Sequence, residues 1–141
     1  MSTLDSLIRM HRWQLDERRR QLAALEELAA KLAEEQHRLE AENLREQAAA
    51  TASPEAAASY PGYAHGFLDR RRKLEQSRAE TAAQIAQARE ALAEAFQEVK
   101  RYEITAASRA RLQEQREARR QARVLDDLGI EGYRRRGAGG D

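Results

Sequence analysis

The residues of this chain that could do chemistry are few, and their spacing argues mostly against catalysis. Glu34-Glu-Gln-His37 holds a Glu-x-x-His pair, half of the ligand set of a di-iron carboxylate centre. That chemistry needs a second such pair and two further glutamates converging inside four helices. His11 and His65 have no glutamate three residues before them, so His37 reads as a solvated surface histidine. There is no glycine-rich phosphate loop, no nucleophile elbow and no histidine-rich metal spacing. No catalytic, cofactor-binding or metal residue is assigned, and the expectation is a non-enzymatic protein with no cofactor.

What stands out instead are residues suited to touching a partner. Trp13 is the only tryptophan, with Arg9 and Arg12 four and one residues before it. From Arg101 to Leu125 there are seven arginines, among them Arg109 and Arg111, against three glutamates; residues 1–50 carry ten acids against eight bases. Tyr60, Tyr63 and Phe67, with His65, gather ring side chains in a short stretch. They either staple a turn or form a docking site. Arg70-Arg-Arg-Lys73 and Arg134-Arg-Arg136 are short basic runs without interleaved aromatics, so they read as solvated surface rather than a base-stacking platform.

The elements that must position these residues are plain from the breakers. Residues 1–53 and 67–128 contain neither glycine nor proline, and both prolines and two of the seven glycines fall between them. Charged residues make up 35% of the chain and aromatics 5%, with Ala, Glu, Leu, Arg and Gln dominant, which is the composition of a coiled coil. Inward positions can be set at Leu4, Ile8, His11, Leu15, Arg18, Leu22, Leu25, Ala29, Leu32, Gln36, Leu39, Asn43 and Glu46 in the first stretch. In the second they fall at Ala64, Phe67, Arg71, Leu74, Arg78, Thr81, Ile85, Ala88, Leu92, Ala95, Val99, Tyr102, Ala106, Arg109, Gln113 and Arg116. Alternating steps of three and four keep one stripe facing a partner helix.

The expected fold is therefore all-α, a single long two-helix antiparallel coiled-coil hairpin over residues 1–130. Helix one runs over about 3–48, the turn over about 49–62 and helix two over about 63–128; residues 131–141 are expected to form a frayed, flexible tail. Ser53-Pro54-Glu55 is also a good N-cap, first-turn proline and early acid, so helix two can begin at 54, in which case Pro61 would kink it. Folding back at 50–60 sets Leu4 opposite residues of about 100–108 and leaves the rest of helix two unpaired. It also brings Arg9, Arg12 and Trp13 toward Arg101, Arg109 and Arg111.

A net charge of +1 argues against wholesale nucleic-acid binding, and the absence of cysteine fits a reducing compartment. The N-terminus lacks an apolar run suited to a signal peptide, and no segment reaches the roughly 20 apolar residues of a membrane span. A cytoplasmic location is expected.

Three segments together resemble the flagellar export protein FliJ family. They are Leu4-Asp-Ser-Leu-Ile-Arg-Met-His-Arg-Trp-Gln-Leu-Asp-Glu-Arg-Arg-Arg20, the central Ser-Pro-Glu break, and Glu94-Ala-Phe-Gln-Glu-Val-Lys-Arg-Tyr-Glu103. The likeness covers about residues 1–130. It implies a small coiled-coil stalk of the bacterial type III protein export apparatus, at the cytoplasmic face of the flagellar base. Members bind the hexameric export ATPase and stimulate it, contact the cytoplasmic domain of the export gate, and handle export chaperones. Nucleic acid is not among the implied partners, and membrane association is peripheral, through partners alone. With that resemblance, Arg9, Arg12, Trp13, Arg101, Arg109 and Arg111 are expected to face the ATPase, and Tyr60, Tyr63 and Phe67 the gate. Two other classes stay open: a structural coiled coil that homodimerises into a four-helix assembly, and a nucleic-acid-associated helical adaptor using the basic C-terminal half.

Overall fold

The computed structural model describes residues 2–138 and consists of two helices, α1 (Thr3–Ala49) and α2 (Pro54–Ala138), with no strand among the described residues. The helices pack against each other as an all-α hairpin. Each start is chemically capped. At α1, Asp5 N–H donates to the Ser2 hydroxyl (3.1 Å), while Ser2 donates back to the Asp5 carboxylate from its backbone N–H (3.2 Å) and its hydroxyl (2.9 Å). This reciprocal bond satisfies donors that a helix start leaves orphaned. It also holds the Asp5 carboxyl below the usual carboxylate range. At α2, Ser53 Oγ accepts from the Ala56 N–H (3.0 Å) and Pro54 takes the first helical position, where its missing N–H costs nothing.

The reversal is tighter than the sequence suggests. Between the two helices only residues 50–53 lie outside helix, because α2 starts at the Ser53 cap rather than after Pro61. The last turn of α1 closes with short-range bonds from Thr51 N–H to Ala48 O (3.3 Å) and Ala52 N–H to Ala49 O (3.1 Å), and the Thr51 hydroxyl donates to Ala48 O (2.7 Å). No described residue needs a positive φ to make the turn. At the other end, the tail expected over residues 131–141 is helical as far as Ala138, and the rest of it lies outside the described residues. Gly129, Gly132 and Gly137 carry ordinary negative φ there, and Arg136 Nε donates to the Gly132 carbonyl (3.3 Å), so the helix crosses its glycines without a left-handed stop.

The chain divides into two compact units. The turn unit, Arg12–Gln97, holds the reversal and both flanking helical arms. Its core cluster is Leu39, Phe67 and Leu74, with Leu32 and Tyr63 packed on it. Cross-helix pairs fix an antiparallel register: as the α1 partner moves back from Glu42 to Glu40 to Glu26, the α2 partner advances from Arg70 to Arg71 to Arg89 (3.6, 3.5 and 3.7 Å). The polar interruptions of the stripe find uses. Arg78 donates to the Gln36 side chain across the seam, and the buried Thr81 donates its hydroxyl to Ser77 O (2.8 Å).

The terminal unit comprises the described residues of Met1–His11 and Glu98–Asp141. Ile8 and Val99 are buried there, and His11 stacks on Tyr102 with ring centroids 4.7 Å apart. Between Leu4 and Ala106, the heptad positions set from the sequence are all at least partly buried except Arg18, Glu46, Arg71 and Arg78. From residue 107 to 131 every side chain is exposed, so the burying seam stops at Ala106. Exposed pairs on the outer faces, Glu27–Lys31 (3.5 Å) and Glu34–Arg38 (2.9 Å), add about 0.3 kcal/mol each.

Candidate docking surfaces

The turn end does not present the three rings that the sequence offered as a docking site. Phe67 is only 5% exposed, inside the Leu39–Leu74 cluster. Tyr60 and Tyr63 are partly buried, with ring centroids 6.1 Å apart, and the Tyr60 hydroxyl donates to Asn43 Oδ1 on the opposite helix (3.1 Å). The physical reason is the early start of α2. With helix running from Pro54, residues 60, 63 and 67 are spaced three and four apart and continue the inward stripe rather than lying in a loop. They staple the reversal.

Tyr63 is the least comfortable of them. Its hydroxyl oxygen is buried and makes no hydrogen bond of proper geometry among the described residues. Desolvation, and then the nearby Glu42 carboxylate, push its pKa above the usual tyrosine value, opposed by the Arg70 guanidinium, which lies 5.8 Å from the ring centre. Near the reversal, the turn unit exposes Leu44 and Leu68, leucines that fall outside the inward register. Their signal was present in the sequence as apolar residues off the heptad stripe.

Trp13 also belongs to the turn unit and is 62% exposed, off the stripe between the inward positions His11 and Leu15. Packing therefore does not explain it. Arg12 in the same unit, and Arg9 in the terminal unit, each already have a partner within the chain.

Arg101, Arg109 and Arg111 lie in the terminal unit with Arg9, whereas Arg12 and Trp13 do not, so the six residues are not one patch within a single unit. Arg101 is held by Glu98 (3.2 Å). Arg109 and Arg111 are exposed and form no ion pair among the described residues, and the same is true of Arg116, Arg119 and Arg123. Residues 107–123 thus display six arginines against Glu114 and Glu117. Guanidinium groups with unsatisfied forks suit bidentate contacts to carboxylates on another surface.

The open groove beside Leu39 is lined by Glu35, Arg38, Glu42, Arg70 and Lys73, of which Arg38, Glu42, Arg70 and Lys73 are engaged in ion pairs. Glu34, from the Glu-x-x-His pair, is occupied by Arg38 at 2.9 Å. Among the described residues no group of three metal-ligating side chains is placed to hold an ion, and no helix is long and apolar enough to cross a membrane. No family model matches the chain, and neither a curated protein nor a solved structure is significantly similar to it.

Proposed function

We propose that this chain is a non-enzymatic coiled-coil component of the bacterial flagellar type III protein export apparatus. In this reading it binds the hexameric export ATPase, stimulates it, and links it to the export gate and the export chaperones at the cytoplasmic face of the flagellar base. The reading rests on the resemblance of residues 4–20, the central break and residues 94–103 to the FliJ family. The structural observation that carries it is the arginine-rich stretch of α2 beyond Ala106, which the hairpin leaves fully exposed. A helix that buries nothing of its own, yet concentrates unpaired guanidinium groups, fits a surface that docks on a carboxylate-lined wall. Trp13 is an exposed aromatic of the kind that anchors interfaces. At the turn end, Leu44 and Leu68 replace the stapled rings as the apolar surface open to the gate.

The test is stimulation of the export ATPase encoded in the same genome by the chain carrying Arg109→Glu and Arg111→Glu. Loss of stimulation with an unchanged circular dichroism melt is the expected result, since neither side chain is buried. Full stimulation by that double variant would overturn the assignment of this surface.

A further inference from the structure

The last part of α2 carries an amphipathic face that the hairpin does not use. Val124, Leu125 and Leu128 share one side at helical spacing, and Leu125 is 68% and Leu128 59% exposed. Ile130 and Tyr133 widen the apolar surface, Tyr133 being 77% exposed. Gly129 has nothing within 4 Å of the place a Cβ would occupy, and Gly132 meets only the Arg136 guanidinium at 3.7 Å, so another backbone could approach closely there.

The charges around this face are ordered in sequence. On its N-terminal side Arg116, Arg119, Arg120 and Arg123 are accompanied by a single acid, Glu117. On its C-terminal side come Asp126, Asp127 and Glu131, with no base before Arg134. Arg120 and Glu131 are 11 residues apart, close to three whole turns, so they stand on the same flank of the apolar stripe. Their own contacts within the helix are marginal, Arg120–Glu117 at 3.9 Å and Arg135–Glu131 at 4.0 Å, and exposed.

We propose that residues 116–133 pair antiparallel with the same segment of a second copy of this chain. A face flanked by one sign of charge would call for a foreign partner of the opposite sign. A basic block succeeded directly by an acidic one is complementary to itself when reversed. Antiparallel pairing about Leu125 lays each arginine block along the other copy's Asp126–Glu131 block, whereas parallel pairing sets arginine against arginine and acid against acid. Burying Leu125 and Leu128 supplies attraction, and the charge order supplies direction. This association concerns the chain by itself and goes beyond its proposed place in export.

The absence of cysteine provides the probe. In full-length Leu125→Cys, mild oxidation should yield a disulfide-linked dimer on a non-reducing gel, while Ala83→Cys, an exposed site in the turn unit, should not. In sedimentation equilibrium the unmodified chain should associate reversibly. Arg120→Glu alone and Glu131→Arg alone should each weaken association by roughly tenfold through like-charge contacts, and the double swap should restore it. A chain monomeric at all concentrations overturns the proposal, and so does equal crosslinking at both cysteine sites. Failure of the double swap to recover does the same. Binding of a monomeric chain to phosphatidylglycerol vesicles would assign the face to a lipid surface instead.

Discussion

Phe67 and Tyr63 stand four residues apart on the inner face of α2, and the structure treats them differently. Phe67 is enclosed by Leu39 and Leu74, so Phe67→Ala removes a full aromatic contact set and leaves a gap the seam can only partly close; a loss of about 3 kcal/mol in denaturant unfolding is expected. Tyr63 keeps a buried hydroxyl with no hydrogen bond of proper geometry, so Tyr63→Phe should raise the melting temperature slightly. The effect should grow with alkali. The folded-state pKa of Tyr63 lies above the ordinary value, so the neutral phenol favours the folded state. Its contribution is complete below the unfolded-state pKa, near 10, and is lost as pH rises through the folded-state value. Thermal melts at pH 8 and pH 11 should therefore show a smaller alkaline loss for Tyr63→Phe than for the unmodified chain. The inward placement of Phe67 was legible from its heptad position, but its role was not. Reading Tyr60-Pro-Gly62 as turn left open whether the rings staple it or dock a partner, and the start of α2 at Pro54 makes them seam residues.

At the scale of the helices, the caps were readable, and the breakers Pro61, Gly62 and Gly66 were not. Ser53 and Pro54 do what their types predict, because a cap depends on a few adjacent atoms. Pro61 and the glycines misled because their effect depends on what packs nearby. Pro61 is the eighth residue of α2, and the helix continues through it while Tyr60, Tyr63 and Phe67 hold the turn side of the seam. Gly62 and Gly66 sit in that same helix with negative φ and open space where a Cβ would be. They contribute neither a turn nor a close approach, and they retain the entropy cost of glycine in a helix. Gly62→Ala and Gly66→Ala should each stabilise the hairpin by about 0.5–1 kcal/mol, additively to within a few tenths, as read from shifts in urea midpoint at constant slope. A destabilising effect of either would show that a partner, or the backbone itself, uses the gap.

Across the whole molecule, the decisive quantity is the unequal length of the helices, 47 residues in α1 and 85 in α2. With the reversal at residues 50–53, the burying stripe of α2 ends at Ala106, and every side chain from residue 107 to 131 is exposed. This much was legible in the sequence, since it derives from the breaker-free lengths and the stripe. The docking partner was not, because an exposed helix records its own charges and apolar residues but no coordinates of what it meets. Stability and function should therefore separate along the chain. A variant ending at Ala106 loses no residue of the seam, and its unfolding free energy should match the full chain to within about 0.5 kcal/mol. It should at the same time fail to stimulate the export ATPase and sediment as a monomer at every concentration. A large loss of stability on this truncation would mean that residues 107–138 fold back onto the hairpin in solution, and the exposed arginines could then not serve as a docking surface.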